Sequence, residues 1–537
     1  MRKEQCTLCI LLLSLYTVQT CIRNQKSAPF VHTSCGPIEG LKTSSYVFKG
    51  IPYAKPPISS LRWKPPVPLT KRDNICWDGI LKATEFGNWC VQRDPTSPIG
   101  ISGSEDCLYL NVWTPTMNRH ANLPVMVWFH GGSLTDLSGN FPTYSPSEEV
   151  AEATNMVYVS MNYRLNAFGF MTLSTPLRLT GNYGFMDQIL ALRWVQDNIR
   201  NFGGNPNLVT LFGQSSGATS IMVLMASPMT SGLFHRVWMM SGSALLNKTY
   251  EEAAFDNKIF LENTKCTGAD CLINLPAKNI MDAIPWDVYP YWAMDDFGDL
   301  PTNNLFVGAL AVVDGLVLPA PPFELWKQGK GNDVPVIIGS SAQELDYFPK
   351  HTDIESWTWD DYVSRVSEKM NTFPTINASQ VLGMYPTGVI SPEYQYTTMG
   401  TDIRVTCPVD VMTYAIGSSH KAPVYRYVVT AFPSEPAYFY GVPFKAKYSA
   451  HGIDAFAFFN TLRYYYQISK KDEQLTDTLR KEIINFVKTG KPSTSLWDEF
   501  PDKTAILSDG LVVSGGYHKQ ECSFWIKNGF LPYSWIN

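Results

Sequence analysis

The stretch that decides the fold is Leu208-Val-Thr-Leu-Phe-Gly-Gln-Ser-Ser-Gly217. Its apolar first half predicts a buried strand, and the run Ala218–Met225 that follows predicts a helix. Of the two adjacent serines, only Ser215 has a glycine two residues before it and another two residues after it. Such glycines let a strand and a helix meet in a tight, strained turn that lifts the serine side chain clear. By composition the pentapeptide arises in about one chain in six of this length, so its place between strand and helix gives it weight.

The rest of the chain predicts an α/β architecture. Apolar runs bounded by turn residues predict more strands, and a run with helical spacing leads into the strand described above. The strands are Leu123–Phe129, Met156–Ser160, Val334–Ile338 and Val424–Val429, and the helix is Asp187–Ile199. Apolar strands that alternate with helices predict a mostly parallel sheet with helices on both faces. We expect a single domain, because the chain has no internal repeat, low-complexity tract or proline-rich linker.

Composition and charge narrow the class of protein. The 537 residues are 45% hydrophobic and 17% charged, which is enough apolar side chain for a large core. The net charge is −5 and no block of lysine or arginine occurs, so a nucleic-acid partner is not expected. No metal or cofactor is implied, because no H-E-x-x-H, G-x-G-x-x-G or phosphate-loop pattern appears after the predicted signal.

The amino terminus predicts export. Residues 1–20 combine a basic start with an apolar stretch from Leu8 to Val18, as in a secretory signal peptide. The mature chain, residues 21–537, would form the single domain. No later apolar run reaches the length of about 18 residues that a membrane-spanning helix needs, so no transmembrane anchor is expected. We therefore predict a secreted or lumenal protein; the sequence leaves its oligomeric state open.

Two candidate partners for Ser215 follow it in the chain. A serine hydroxyl needs a base to attack an ester, and in such folds the order is serine, acid, histidine. His451 suits the base, because it lies in a loop of small residues, Ser449-Ala-His-Gly-Ile-Asp454. Glu344 follows a predicted strand across a turn of small residues, and its carboxylate would accept the imidazole N–H and fix the tautomer. Asp346, two residues later, is the alternative acid, and the spacing alone leaves the choice open.

A glycine-containing loop is the candidate oxyanion hole. His130-Gly-Gly-Ser133 follows the predicted strand that ends at Phe129, and it resembles the H-G-G-G loop of esterases, which donates through its backbone. We expect three N–H donors, from Gly132, Ser133 and Ser216. Each such donor matters, since losing one costs roughly 3–4 kcal/mol in known cases.

Together these residues resemble the type-B carboxylesterase and cholinesterase family, over nearly the whole mature chain. The most specific segment is Glu105-Asp-Cys-Leu-Tyr-Leu-Asn-Val-Trp113. The resemblance implies the α/β-hydrolase fold and a triad of Ser215, Glu344 and His451, with the glutamate preferred to Asp346. Other segments that carry it are Gly50-Ile-Pro-Tyr-Ala-Lys-Pro-Pro57, Asp187-Gln, Phe202-Gly-Gly-Asn-Pro206, Val313-Asp-Gly315 and Cys522-Ser-Phe-Trp525.

The resemblance also implies three disulfides. They are Cys90–Cys107, Cys266–Cys271 and Cys407–Cys522. A Cys35–Cys76 bridge is a separate hypothesis, and Cys21 has no assignment. Two glycosylation acceptors, Asn247-Lys-Thr249 and Asn377-Ala-Ser379, agree with passage through an oxidising compartment.

Three residues depart from the family pattern. Gln214 and Ser216 stand where G-E-S-A-G is usual, so a negative charge beside the nucleophile is absent, although the Ser216 N–H still donates. Ser133 replaces the third glycine of H-G-G-G, and its Cβ narrows the space beside the acyl carbon and strains the loop if a positive φ is required. Cholinesterases place a tryptophan in the loop closed by the first disulfide, for cation–π contact with choline. Residues 91–106 contain no aromatic residue.

These observations predict a secreted serine carboxylesterase that hydrolyses neutral carboxylic esters, as small-molecule substrates, through an acyl-enzyme. Two alternatives stay open. One is a scavenger that is acylated but turns over slowly, which the altered elbow and oxyanion loop allow. The other is a neuroligin-like adhesion module without catalysis, which the three retained triad positions disfavour.

Overall fold

The computed structural model describes residues 28–71, 76–286, 300, 310–347, 351–439 and 444–535, so the predicted signal peptide and Cys21 lie outside it. The described strands are β1 (Phe30–His32), β2 (Pro37–Glu39), β3 (Leu41–Lys42), β4 (Tyr46–Pro52), β5 (Leu81–Lys82), β6 (Gln92–Arg93), β7 (Ile101–Ser102), β8 (Tyr109–Thr114), β9 (Leu123–Phe129), β10 (Val157–Met161), β11 (Thr172–Leu173), β12 (Leu179–Thr180), β13 (Gly204–Gln214), β14 (Arg236–Met240), β15 (Val336–Ser341), β16 (Val424–Val429), β17 (Thr504–Leu507) and β18 (Leu511–Ser514). The described α-helices are α1 (Glu148–Thr154), α2 (Asn166–Phe170), α3 (Tyr183–Asn198), α4 (Ser216–Ala226), α5 (Tyr250–Asp256), α6 (Lys258–Thr264), α7 (Ala269–Asn274), α8 (Ala277–Ala283), α9 (Pro322–Lys327), α10 (Trp359–Met370), α11 (Ala378–Met384), α12 (Pro392–Thr401), α13 (Cys407–Ser419), α14 (Ile453–Phe459), α15 (Lys470–Thr489) and α16 (Lys519–Lys527).

An 11-stranded sheet forms the centre of the molecule, in the order β18-β17-β16-β15-β14-β13-β9-β10-β8-β4-β3. The strands from β17 to β10 in this order run parallel, and antiparallel strands complete both edges. The prediction of a mostly parallel sheet with helices on both faces is thus confirmed. Because functional residues in such sheets follow the carboxyl ends of the strands, the ends of β9, β13, β15 and β16 are where a site is expected.

Both faces of the central strands are buried, as β9 illustrates. Val125, Val127 and Phe129 belong to one apolar cluster. Met126 and Trp128 belong to another. Successive side chains of a strand point to opposite faces, so a strand buried on both faces needs a continuous apolar run. This requirement explains why the sequence pattern located the central strands.

The predicted elements agree closely with the observed ones. β9 and β16 match their predicted residues, whereas β15 runs beyond the predicted Ile338 to Ser341, because it pairs with β16 as far as Val429. α3 begins earlier than predicted, at Tyr183. The Asn182 side chain, which exchanges hydrogen bonds with the backbone of Val312, fixes that start.

The described residues contain four disulfides, Cys35–Cys76, Cys90–Cys107, Cys266–Cys271 and Cys407–Cys522. They comprise the three pairings that the resemblance implies and the hypothetical first one. The acceptors Asn247 and Asn377 are both exposed, and their glycosylation stays a prediction. Among the described residues, no helix combines the length and apolar character needed to cross a membrane.

Candidate active site

The strained turn at Ser215 is present. β13 ends at Gln214 and α4 begins at Ser216, and between them Ser215 has φ 60° and ψ −130°, outside the regions that most residues adopt. A Cβ added at Gly217 would lie 2.0 Å from the carbonyl oxygen of Phe129 at the end of β9. The second glycine of the pentapeptide is therefore required by close approach of the two backbones.

His451 and Glu344 form a direct hydrogen bond. The imidazole Nδ1 lies 2.5 Å from the Glu344 Oε2. The other oxygen, Oε1, accepts from the Ser241 hydroxyl at 2.5 Å and from the Ser341 N–H at 2.6 Å. Since Glu344 is 0% exposed and both its oxygens are engaged, its carboxylate is fixed in place and orients the ring.

Asp346, the alternative acid, has a different position. Its Oδ2 accepts the backbone N–H groups of Lys447 and Tyr448, at 2.6 and 2.9 Å. Burial raises the pKa of Asp346 to about 7, and the charge of Glu393 adds to the rise against those two hydrogen bonds. Asp346 thus anchors the backbone that leads to the histidine, and it is Glu344 that contacts the imidazole.

Gln214 contacts the other nitrogen of the same imidazole. Its Nε2 lies 2.9 Å from His451 Nε2, and its Oε1 accepts from the Tyr144 hydroxyl. Because Oε1 is engaged with Tyr144, the amide N–H faces the ring and donates to Nε2, which assigns the ring proton to Nδ1. The imidazole is therefore held at both nitrogens, by the residue next to Ser215 and by Glu344.

The candidate oxyanion loop lies against the turn at Ser215. A Cβ added at Gly131 would lie 3.0 Å from the Ser215 Cβ. The Leu134 N–H donates to the Ser216 hydroxyl at 3.1 Å, which ties the loop to the start of α4. Ser133 has φ 54°, so the positive φ considered for this position is present.

Two buried titratable groups flank these residues. Burial lowers the pKa of His130 to about 4, so the ring is neutral, and it stacks on Tyr163 with centroids 4.4 Å apart. Burial also raises the pKa of Asp454 to about 6, although a hydrogen bond from the Tyr427 hydroxyl at 2.6 Å opposes the rise. The negative charge of Glu344 adds to the rise in the pKa of Asp454.

Sequence reasoning missed the contacts of Ser241 and Tyr144 and treated Gln214 only as a lost charge. Ser241 follows directly after β14, so the rule that functional residues follow strand ends is a signal that could have located it. Tyr144 carries no such signal, since its contact with Gln214 depends on how the loop after β9 folds back.

The comparisons with known proteins agree with this geometry. The family model described as the carboxylesterase family matches residues 27–525. The chain belongs to the carboxylesterase family. This confirms the predicted family, fold class and enzyme class, a carboxylic ester hydrolase.

Several relatives cover almost the entire chain. Liver carboxylesterase 1 of Oryctolagus cuniculus is 28% identical over 96% of this chain and 96% of its own length. Para-nitrobenzyl esterase of Bacillus subtilis (strain 168) is 31% identical over 88% of this chain and 93% of its own. A solved structure of a PNB esterase superposes with a TM-score of 0.73 at 30% identity, covering 94% of this chain and 100% of that one.

Proposed function

We propose that this carboxylesterase is secreted and hydrolyses neutral carboxylic esters through an acyl-enzyme at Ser215. The observation that carries the proposal is the 2.5 Å hydrogen bond between Glu344 and His451, at the same end of the sheet as the strained serine turn. It gives a buried imidazole with a fixed tautomer and a basic Nε2, which is what a serine hydroxyl requires.

In acylation the Ser215 Oγ attacks the ester carbonyl carbon and its proton passes to His451 Nε2. Glu344 stabilises the imidazolium that forms. The carbonyl oxygen becomes an oxyanion, which the backbone N–H groups of Gly132, Ser133 and Ser216 receive. When the tetrahedral intermediate collapses, the bond to the alcohol breaks and the alcohol oxygen takes the proton from Nε2.

Deacylation repeats these steps with water. His451 removes a proton from water as the water oxygen attacks the acyl carbon, and the second oxyanion occupies the same N–H donors. Collapse then breaks the bond to Ser215, whose Oγ recovers the proton from Nε2, and the carboxylic acid leaves. The enzyme returns to its starting state without any other reactant.

The neutral substrate class and the secretion are supported by separate observations. Residues 91–106 hold no aromatic side chain that could bind an ammonium group by cation–π contact, and the neutral Gln214 supplies no charge to attract one. Four disulfides among the described residues are typical of a chain that folds in an oxidising compartment.

One observation favours a second candidate, the slow scavenger. The Gln214 amide donates to His451 Nε2, the atom that has to accept the serine and water protons. If this hydrogen bond persists after acylation, the acyl-enzyme forms once and is then hydrolysed slowly.

The experiment that tests the proposal is burst and steady-state hydrolysis of p-nitrophenyl acetate. We compare the wild type with Ser215→Ala, and with Ser220→Ala as the matched control at a buried serine within α4, all checked for folding by circular dichroism. A burst and turnover that only Ser215→Ala abolishes support the esterase. A stoichiometric burst without turnover supports the scavenger, and the absence of both burst and turnover supports the non-catalytic adhesion module.

The substrate class needs an isosteric pair. Acetylcholine and 3,3-dimethylbutyl acetate have the same shape and differ in one positive charge, so their ratio of kcat/KM reports charge recognition alone. We expect the neutral ester to be hydrolysed at least as efficiently as the choline ester. A preference for acetylcholine of more than about tenfold, equal to about 1.4 kcal/mol, contradicts the neutral assignment.

A further inference from the structure

The carboxyl-terminal segment contacts the histidine of the proposed triad. The Trp535 ring lies on the His451 imidazole, with centroids 4.6 Å apart and planes at 34°. Trp535 is 2% exposed, so its side chain is part of the interior although it lies near the end of the chain. No other described contact brings the carboxyl-terminal segment to the proposed triad.

This position is built, because several contacts hold the segment. The backbone N–H of Trp535 donates to the Arg404 carbonyl at 2.7 Å, and the Arg404 Nη1 donates to the Tyr533 carbonyl at 3.1 Å. Arg404 is buried in the π-helical turn Asp402–Thr406, and such turns are frequent at functional sites. The Cys407–Cys522 disulfide follows that turn and ties α16 to α13.

The contacts of Glu344, Gln214 and Trp535 with the imidazole have different effects. Glu344 and Gln214 bind its two nitrogens, which fixes the tautomer and the direction of the ring edge. Hydrogen bonds at the ring edge do not stop the ring from tilting out of its plane, whereas an indole against one face does. The face of an aromatic ring also attracts a cation, and the imidazole becomes a cation in each transition state of the proposed mechanism.

Packing alone gives a poor reason for tryptophan here. The Trp535 Nε1 is buried and has no hydrogen-bond partner among the described residues. A buried indole N–H without a partner is unfavourable, and phenylalanine would fill the same region without that penalty.

We propose that Trp535 is a positioning residue for His451, so that the carboxyl-terminal segment completes the active site. The inference rests on the proposed function, because it requires His451 to act as the base. Failure of the inference can be distinguished from failure of the proposed function. Absence of turnover in the wild type refutes the proposed function, whereas equal turnover in the wild type and the Trp535 variants refutes only the inference.

The test measures kcat and KM for p-nitrophenyl acetate, normalised to burst amplitude, in the full chain with Trp535→Ala, Trp535→Leu or Trp535→Phe. We expect kcat to fall about tenfold in the Ala and Leu variants, while KM changes by less than about twofold. Phe should restore only part of the rate, because the face of a tryptophan attracts a cation more strongly than that of a phenylalanine. Trp326→Ala is the matched control, because Trp326 is a fully buried indole that packs on Phe323 and His420, outside the site.

Two results would overturn the inference. One is a kcat in Trp535→Leu equal to that of the wild type, since the aromatic face would then be dispensable. The other is an equal loss of kcat in Trp326→Ala, which would make the effect a general consequence of weakened packing. If Trp535→Ala does not fold, the Leu and Phe variants decide the question by the same comparison.

Discussion

A negative charge restored beside the imidazole tests how the site is tuned. In Gln214→Glu, the new carboxylate takes the place of an amide whose Nε2 lies 2.9 Å from His451 Nε2. The Tyr144 hydroxyl, which now donates to the Gln214 Oε1, would hold the carboxylate there. A carboxylate at this distance favours the imidazolium over the neutral ring, and only the neutral ring can act as the base. The acid limb of the pH–rate profile should therefore move to higher pH.

The size of the shift follows from the separation of the charges. At ~4 Å between charge centres, two unit charges interact by about 1 kcal/mol in a water-like medium and by about 4 kcal/mol at an effective dielectric constant of ~20. Each 1.36 kcal/mol corresponds to about one pH unit, so the limb should move by between about 0.7 and about 3 units. His451 is 7% exposed, which places the expected shift in the upper half of this range.

The measurement is kcat/KM for p-nitrophenyl acetate from pH 4 to 9, in the wild type and in Gln214→Glu. Gln188→Glu is the control, because Gln188 is also fully buried but bonds Ser220 and does not contact the imidazole. Profiles of the wild type and Gln214→Glu that superpose would refute the reasoning. An equal shift in Gln188→Glu would show that any buried carboxylate suffices.

Two further predictions concern the oxyanion loop and the carboxyl-terminal helix. Ser216→Ala removes the acceptor of the Leu134 N–H, and an unsatisfied buried N–H costs about 1–3 kcal/mol, so the free energy of unfolding in urea should fall by about that amount; an unchanged free energy of unfolding contradicts this. Burial lowers the pKa of His518, but the charge of Asp402, 2.7 Å away, raises it above the usual value. The free energy of unfolding in urea should be higher in the wild type than in His518→Gln. This difference should be largest below about pH 6.5 and decline at higher pH, and a difference that does not change with pH contradicts the prediction.

The sequence predicted the features that produce a regular pattern of residues. The central strands appear as continuous apolar runs because both their faces are buried. The serine turn appears as a glycine pattern because the backbone of Gly217 lies too close to the carbonyl oxygen of Phe129 to leave room for a Cβ. For the acid of the triad, the spacing alone did not decide between Glu344 and Asp346. The family resemblance chose Glu344, and the structure brings its carboxylate to the imidazole.

No residue pattern in the sequence indicates the contacts that Tyr144, Gln214 and Trp535 make around the imidazole. Each is a single side-chain contact between residues far apart in the chain, so it produces no helical or strand periodicity in the sequence. Predicting them requires the fold of the loops after β9 and α16, which depends on tertiary packing. The elements of the site were therefore predictable, while the residues that tune it were not.

The two serine departures from the family pattern are coupled in space, which explains how the loop tolerates both. Ser133 adopts φ 54°, and a left-handed backbone costs a residue with a Cβ roughly 1–2 kcal/mol. The hydroxyl of Ser216, absent from the usual alanine, accepts the N–H of Leu134, which follows Ser133 directly. Leu134 also has a positive φ, 59°, so the strain of the two residues exceeds the about 0.5–1.5 kcal/mol that one such hydrogen bond contributes. The hydrogen bond offsets part of this strain, and Ser133→Gly should therefore make the loop less dependent on the Ser216 hydroxyl.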